Sequence, residues 1–222
     1  MNITRKISVS VFVLATCLFL QVSAQKTAIY TDPQASYDQA LDLYSKAKYG
    51  SALVIFDKLS AGEKNNIKAG SEYYAALCAS QLFHPDATQR FEKFIETYPQ
   101  NAQVNDANFE LGKLHITNKN YRKALESFLN VDRYELTPEQ LNEYYFKLGY
   151  AHFKTENLKK ARENFALLID KPNKYNVPAN YYYAHIAYTE GNYETALKHF
   201  ELISTDETFR DVVNYYIIQI YA

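Results

Sequence analysis

One pair of residues returns at a near-constant interval along this chain and strongly limits the folds open to it. Five alanines lie 35, 37, 37 and 35 residues apart, at Ala52, Ala87, Ala124, Ala161 and Ala196. Each alanine is followed four residues later by a phenylalanine, at Phe56, Phe91, Phe128, Phe165 and Phe200. A period in this range is typical of a solenoid of helical hairpins, a fold that offers extended surfaces for binding other molecules.

A second small residue recurs in every repeat. When each alanine is counted as the twentieth residue, the eighth is also small: Ala40, Ala75, Gly112, Gly149 and Ala184. Small side chains at both positions let the two helices of a hairpin, A and B, approach closely, and the phenylalanine one turn later lies on the same face as the alanine. The sequence predicts an all-α chain with repeats near 33–67, 68–104, 105–141, 142–176 and 177–210, and a partial sixth at 211–222.

Turn and cap residues agree with this division. Gly191-Asn192-Tyr193 and Asn118-Lys119-Asn120-Tyr121 fall where helix A should end and helix B begin, and Gly and Asn tolerate the left-handed backbone that closes a helix. Thr137-Pro138-Glu139-Gln140 has the pattern of a capped helix start. No segment shows sustained alternation of apolar and polar residues, so we expect little or no β-strand.

The repeat resembles the tetratricopeptide repeat. The resemblance is carried by Leu111-Gly112 with Ala124 and Phe128, by Leu148-Gly149, and most closely by Gly191-Asn192-Tyr193. It extends over roughly residues 33–222, although tryptophan is absent and the first two repeats lack the glycine of the Leu-Gly pair. The resemblance implies a right-handed α-solenoid of about five units plus one further helix, with the A helices lining a concave groove.

The resemblance also implies which residues face that groove. Carried over position by position, it gives ten candidate partner-binding residues: Tyr37, Tyr44, Phe109, Lys113, Phe146, Tyr150, Phe153, Tyr181, His185 and Tyr188. The same positions also hold Leu41, Glu72, Asp106, Glu143 and Tyr215. Rings give a large contact area with few rotatable bonds, which favours a peptide or helix of a partner lying along them. The alternative is that many of the rings pack between neighbouring A helices, as we expect for Tyr145, Tyr182 and Tyr183.

Residues for catalysis or metal binding do not form a recognisable motif. His115 and His152 share the eleventh position of adjacent repeats, which favours two rings in equivalent packing niches over a metal pair, because no carboxylate or cysteine lies at zinc spacing beside them. The groove positions hold only Lys113 and Lys154 as cations, so capture of a terminal carboxylate there is not expected. We expect no enzyme activity, metal or cofactor.

The N-terminus has the pattern of an export signal. Arg5 and Lys6 precede an apolar run from Ile7 to Leu20, and Val22-Ser23-Ala24 predicts cleavage before Gln25. The run of 14 residues is shorter than a membrane-spanning helix. An uncleaved anchor, or lipidation at Cys17 after Leu14-Ala15-Thr16, are the alternatives. We therefore expect a leader at 1–24, a linker at 25–32, and a location in the periplasm or at the periplasmic face of the outer membrane.

The net charge of the chain and its last helix restrict the kinds of partner that we expect. The formal charge is −1, and loss of the two leader cations makes it about −3, which argues against nucleic acid and anionic membranes as partners.

The single remaining thiol, Cys78, is expected in the core. Residues 214–222 resemble 180–188 but no B helix follows, so Ile217, Ile218 and Ile220 would need cover from a longer array or from self-association.

These observations favour a non-catalytic protein-binding scaffold of the bacterial cell envelope. A peptidoglycan or carbohydrate binder that uses the tyrosines for sugar stacking is one alternative. A non-catalytic N-terminal region of a larger envelope protein is another. The sequence does not identify the partner.

Overall fold

The protein folds into a linear array of helices, seen in a computed structural model that describes residues 32–62 and 67–222. The predicted leader and nearly all of the predicted linker lie outside these residues. The described ranges contain no strand and hold eleven α-helices: α1 (Pro33–Ser45), α2 (Tyr49–Ser60), α3 (Lys68–Gln81), α4 (Ala87–Thr97), α5 (Val104–Thr117), α6 (Tyr121–Leu129), α7 (Pro138–Lys154), α8 (Leu158–Ala166), α9 (Asn176–Thr189), α10 (Tyr193–Glu201) and α11 (Arg210–Tyr221). A 3-10 turn, Arg133–Glu135, follows α6. Odd-numbered helices are A helices and even-numbered helices are B helices.

The packing order of the helices gives the array its curvature. Each helix packs against its neighbours in the sequence, from α1 on α2 to α10 on α11. The A helices also contact each other across hairpins, α3 with α5 and α5 with α7, whereas no two B helices in the described chain approach to the same extent. A stack whose A helices lie closer together than its B helices curves toward the A side. The A helices therefore line the concave face, as predicted.

Small residues at two positions bring helices A and B together in each hairpin. The five alanines at the twentieth position are at most 3 % exposed, and the five phenylalanines that follow them are fully buried. A Cβ atom added at Gly112 would lie 2.6 Å from Cε1 of Phe128, and one added at Gly149 would lie 2.9 Å from Cε1 of Phe165. Both distances are below van der Waals contact. The phenylalanine ring of helix B thus occupies the space that a side chain on helix A would need.

A ring stack joins neighbouring hairpins at three of the five junctions. A tyrosine of the following A helix lies nearly parallel to the buried phenylalanine of the preceding B helix in three places. The pairs are Phe56–Tyr74, Phe165–Tyr182 and Phe200–Tyr216, with centroids 5.4, 5.3 and 5.2 Å apart. The same phenylalanine therefore holds its own hairpin together and anchors the next one.

The five A–B turns close in the same way although their sequences differ. In each turn one residue has a positive φ: Ala47, Phe83, Lys119, Glu156 and Gly191. In the last turn the Asn192 N–H donates to the Ala187 carbonyl at 2.8 Å and the Gly191 N–H donates to the Tyr188 carbonyl at 3.0 Å, and the other four turns repeat this pair of bonds. In the third turn the left-handed residue is Lys119 rather than either neighbouring asparagine, which the sequence pattern did not indicate.

The start of α7 has the predicted capping arrangement. The Gln140 N–H donates to Thr137 Oγ1 at 3.3 Å, and the Thr137 N–H donates to Gln140 Oε1 at 3.0 Å. Pro138 occupies the first turn, where its missing N–H leaves no bond unmade. This capping box fixes the first residue of the longest A helix in the described chain.

The last helix, α11, breaks the small-residue rule. Its Tyr216 stacks on Phe200 as Tyr182 of α9 stacks on Phe165, which sets the register between α11 and α9. In that register Ile218 takes the place of the small eighth residue. Ile218 is 64 % exposed, and its side chain is larger than the alanine or glycine at this position of the other five repeats. One side of α11 covers the fifth hairpin, and the opposite side leaves Ile218 in solvent.

Replacing Gly112 by alanine should destabilise the fold by about 1–3 kcal/mol, because the new methyl group meets the buried Phe128 ring. Gly50→Ala in α2 is the matched control, since a Cβ there meets nothing within 4 Å and alanine favours the helix. Chemical denaturation followed by circular dichroism measures both. Equal stability of Gly112→Ala and wild type would contradict the close packing described above.

Glycine at the left-handed position of α7–α8 should stabilise the protein. Glu156 has a φ of 62°, where a side chain costs about 1 kcal/mol relative to glycine. Glu156→Gly should therefore raise the melting temperature. Gly191→Ala, at a φ of 77°, should lower it by a comparable free energy. Shifts of the same sign in the two variants would be inconsistent with the turn geometry.

Candidate functional site

The concave face of the A helices is the candidate site, and nine of the ten predicted residues are half-buried side chains of A helices. Phe109 is the exception and is a correction to the sequence prediction. It is 1 % exposed and packs on the buried ring of Phe128, 6.3 Å away, so a partner could not reach it. The Phe109 side chain faces helix B of the same hairpin and not the groove.

At the N-terminal end, Tyr37 and Tyr44 belong to a packed ring cluster. Tyr37 lies 5.7 Å from Phe56, and Tyr44 lies 5.4 Å from both Tyr49 and Tyr74. Burial raises the pKa of each of Tyr37 and Tyr44 to about 12. These two rings mainly connect the first and second hairpins, which is the alternative that the sequence left open.

The C-terminal half of the face carries a continuous row of rings, here called the aromatic wall and made of Tyr150, Phe153, Tyr181, His185 and Tyr188. The row runs across α7 and α9 and reaches α11. Phe153 and His185 touch edge to face at 5.6 Å. Two further rings hold the row in place. Tyr182 lies 5.5 Å from Tyr150 and 5.1 Å from Phe153, and Tyr216 lies 5.5 Å from His185 and 5.0 Å from Tyr188, measured between ring centroids.

The wall is fixed from behind by the buried core. Tyr182 and Tyr216 each use one ring face to stack on a core phenylalanine. Burial raises the pKa of Tyr182 to about 12, which agrees with a largely desolvated anchor. Sequence analysis expected Tyr182 to pack between helices. It missed Tyr216, which the matching Asn-Tyr-Tyr of α9 and α11 could have revealed.

Phe146 is predicted as a groove residue but is covered on one side. Tyr175, just before α9, stacks on Phe146 with centroids 4.9 Å apart and an interplanar angle of 21°. Burial raises the pKa of Tyr175 to about 12, and the nearby carboxylate of Glu143 contributes to the same increase. Phe146 therefore contributes more to packing of α7 on the next hairpin than to the open surface.

The centre of the concave face is a network of charges that sequence analysis found only in part. Lys113 pairs with Glu110 at 2.7 Å and approaches Glu143 at 3.7 Å, so the predicted partner-binding cation is already neutralised within the chain. Burial raises the pKa of Glu110 in spite of Lys113, and burial lowers the pKa of Lys147. The spacing of Glu110 and Lys113 at i and i+3 is the signal that could have predicted the pair.

A second polar link joins three A helices beside this network. Asp106 of α5 accepts a short hydrogen bond from the Tyr73 hydroxyl of α3 and another from Gln140 of α7 at 3.3 Å. Burial raises the pKa of the Tyr73 hydroxyl, and the nearby Asp106 charge raises it further. The polar side chains therefore tie hairpins together, and they also keep the middle of the groove hydrophilic.

His115, His152, His199 and Cys78 pack within the hairpins, whereas His84 is exposed and contacts the carboxylate of Asp86 at 2.5 Å. His115 is 3 % exposed, and the pKa values of His115 and His152 are lowered chiefly by burial. His199 contacts Asn180 at 2.8 Å through Nδ1. Cys78 is fully buried, and burial raises its pKa to about 11. Residues 32–62 and 67–222 contain no cluster of three potential metal ligands, and no helix in these ranges is long and apolar enough to cross a bilayer.

Solved structures with the same fold are known, although no protein-family model and no curated protein sequence matches the chain. A double mutant of MamA RS-1 superposes with a TM-score of 0.65 at 19 % identity, over 81 % of this chain and 97 % of that one. MamA of AMB-1 gives 0.64 at 17 % identity, over 76 % and 88 % of the two chains. MamA from Desulfovibrio magneticus RS-1 gives 0.61 at 18 % identity, over 79 % and 97 %.

This similarity settles the architecture. The chain is an all-helical solenoid of helix-turn-helix repeats, and it fits the tetratricopeptide type of fold. At such low identity the likeness carries no information on partner or location.

Acidification should destabilise the fold through the buried histidines. Burial lowers the pKa of His152 and of His185 in the folded protein. As the pH falls through about 6.5, the ordinary histidine pKa, these side chains therefore bind protons in the unfolded chain while they stay neutral in the native one. The contribution of these histidines to the free energy of unfolding is complete above about pH 6.5 and is lost as the pH falls through their pKa values in the folded protein. Glu110, with a raised pKa, has the opposite sign: its contribution is present at low pH and is lost as the pH rises.

The comparison between variants isolates the histidine contribution. We expect the melting temperature to drop more steeply between about pH 7.5 and about pH 5.5 in wild type than in His152→Gln/His185→Gln. Differential scanning calorimetry at matched ionic strength measures the slopes. Identical slopes in the two proteins would show that these side chains do not carry the pH dependence.

Proposed function

We propose that this chain is a non-catalytic interaction scaffold that binds a segment of a partner protein along its concave face. The observation that carries the proposal is the aromatic wall, five half-buried rings on adjacent A helices that face one continuous surface. Tyrosine and histidine rings combine apolar area with a polar tip, a combination suited to contact with a peptide backbone and its side chains.

Preorganisation supports this use of the wall. Edge-to-face contacts and the anchors Tyr182 and Tyr216 restrict the rings before any partner arrives. Binding therefore freezes few additional rotors, and more of the contact energy appears as affinity. Glu143, which Lys113 approaches, lies on α7 with Tyr150 and Phe153, so this network can offer hydrogen bonds to a partner that extends along α7 from the wall.

A protein partner fits the ring geometry better than a sugar. Carbohydrate stacking needs exposed ring faces, whereas the anchors Tyr182 and Tyr216 each give one face to a buried phenylalanine and meet the wall rings in edge-to-face or tilted contacts. The remaining contacts along the wall are mainly edge to face or tilted. Such a surface has ridges and notches that suit side chains of a peptide or helix.

The proposed location is the bacterial cell envelope, on the periplasmic side. It is supported by the leader pattern at 1–24 and by the mature charge of about −3, which does not favour nucleic acid. An intact mass of the protein purified from its native envelope tests this: it should correspond to a chain that begins at Gln25, and a chain that retains Met1 would contradict cleavage.

The wall can be tested with two ring removals. Tyr150→Ala/Tyr188→Ala should reduce recovery of the protein partner from a native envelope extract by about tenfold or more, because hot-spot rings each contribute about 2 kcal/mol. Mass spectrometry of the co-purified protein gives the recovery. Circular dichroism verifies that helix content is retained.

The control is a tyrosine outside the wall. Tyr134 lies in the 3-10 turn and is 83 % exposed, so Tyr134→Ala removes a ring of equal size with little effect on packing. It should capture the partner as wild type does. Equal recovery by the wall variant and the control would refute the concave-face assignment.

A further inference from the structure

A broad surface depression lies outside the aromatic wall, where two A–B turns come side by side. It is open to solvent, has a volume of about 700 Å³ and is bordered by the α5–α6 turn and the α7–α8 turn. We call it the turn pocket, and its lining residues are Lys119, Asn120, Tyr121, Arg122, Lys123, Lys154, Thr155 and Glu156. Neither the groove prediction nor the proposed function accounts for this depression.

The turn pocket carries a concentration of uncompensated positive charge. Four of its eight lining residues are cationic and one is anionic. Lys119, Arg122 and Lys154 form no ion pair with any residue of 32–62 or 67–222, and Lys123 only approaches Glu92 at 3.9 Å. A concave site lined by one sign of charge focuses the field and attracts the opposite charge. The chain as a whole is slightly acidic, so this concentration is local.

The start of α6 adds to the same potential. Asn120 precedes α6 but makes no side-chain hydrogen bond to its first turn. The equivalent Asn157 and Asn192 do cap their helices, accepting from the N–H groups of Lys160 and Thr195 at 3.2 Å. The first N–H groups of α6 thus lack the side-chain partner that the next two B helices have, and they carry partial positive charge.

At the neighbouring A–B turn an arginine is neutralised by a carboxylate. There Arg162 of α8 pairs with Glu190 at the end of α9 through a short hydrogen bond. No carboxylate performs this role for Arg122 in the described chain. Lys159 and Lys160 of α8 are also unpaired in the described chain, so the turn pocket is distinguished by four cations that lie around one depression and not by unpaired cations as such.

The turn pocket is continuous with the aromatic wall. The Lys154 ammonium lies 5.8 Å from the centre of the Tyr121 ring, and Tyr121 contacts Tyr150 of the wall at 5.9 Å. A segment lying on the wall could extend past Tyr150 into the pocket without leaving the surface. The pocket could then hold acidic residues that flank the segment on the wall.

We propose that the turn pocket is a binding site for a carboxylate-rich segment of a protein. Its cations are spread over two hairpins and an aromatic ring lies among them, which fits several carboxylates along a chain better than one isolated anion. In one respect the inference rests on the proposed function, since we place this acidic segment in the same partner that lies on the wall. Binding to the pocket itself is testable without that partner.

The probe is octaglutamate labelled with fluorescein, and the measurement is fluorescence anisotropy. Lys119→Gln/Arg122→Gln/Lys154→Gln should weaken binding by about tenfold or more, since it removes three of the four cations that attract the peptide. None of the three cations forms an ion pair in the described chain, so the substitutions should leave the fold intact. Raising NaCl from about 0.05 M to about 0.2 M should weaken wild-type binding because the contacts are solvent-accessible.

The control removes the same charge from elsewhere. Lys58→Gln/Lys171→Gln/Lys198→Gln changes three exposed lysines that are also unpaired in the described chain, and it should bind octaglutamate within about twofold of wild type. Equal weakening by both triple variants, or no octaglutamate binding by wild type, would overturn the proposal. So would pocket-dependent sedimentation with phosphatidylglycerol vesicles in the absence of octaglutamate binding, which would assign the cations to a membrane surface.

A wall variant separates this inference from the proposed function. Tyr150→Ala/Tyr188→Ala should bind octaglutamate as wild type does, because its cations are unchanged. Loss of partner capture with retained octaglutamate binding would support both assignments. Retained capture with lost octaglutamate binding in the pocket variant would refute the shared partner and leave the pocket as a separate carboxylate site.

Discussion

The contact between a buried phenylalanine of each B helix and a small residue of its A helix supports the whole array. At Gly112 and Gly149 the ring fills the volume of a missing side chain, and in the other hairpins alanine serves the same purpose. The opposite side of the same ring receives a tyrosine of the next hairpin in three places. Because one residue type holds both contacts, hairpin geometry and hairpin stacking are coupled, and the concave face inherits its shape from this core.

The fold was predictable because this contact recurs in the sequence at a fixed interval. The helices, the turn positions and the capping box at Thr137 all follow from local patterns that repeat. What the sequence could not give is the direction of individual side chains within a helix that is apolar on more than one side. Phe109 is such a case, since its position suggested the groove and its ring packs in the core. The left-handed residue of the third turn was not predictable either, because the two hydrogen bonds that close the turn place Lys119 there instead of an asparagine.

The candidate site was predictable to a smaller degree, since it depends on contacts between hairpins. Sequence analysis found the wall rings but not the pairing of Glu110 with Lys113, which removes a cation from the free surface. It expected Ile217, Ile218 and Ile220 of α11 all to need cover, whereas Ile217 and Ile220 pack on the fifth hairpin and Ile218 alone is exposed. The turn pocket escaped notice because its cations come from two repeats, separated by more than thirty residues, and are neighbours only after stacking.

The central claim is that the buried small-residue contact sets the geometry of the partner-binding wall, and Gly149→Ala tests it most directly. The new methyl group displaces the Phe165 ring, and Tyr182, stacked on that ring, must move with the wall residues it anchors. Partner recovery by Gly149→Ala, measured at a temperature where the variant is fully folded, should fall although every wall residue is unchanged. Full recovery by the folded variant would contradict the claim and would separate the concave surface from the core beneath it.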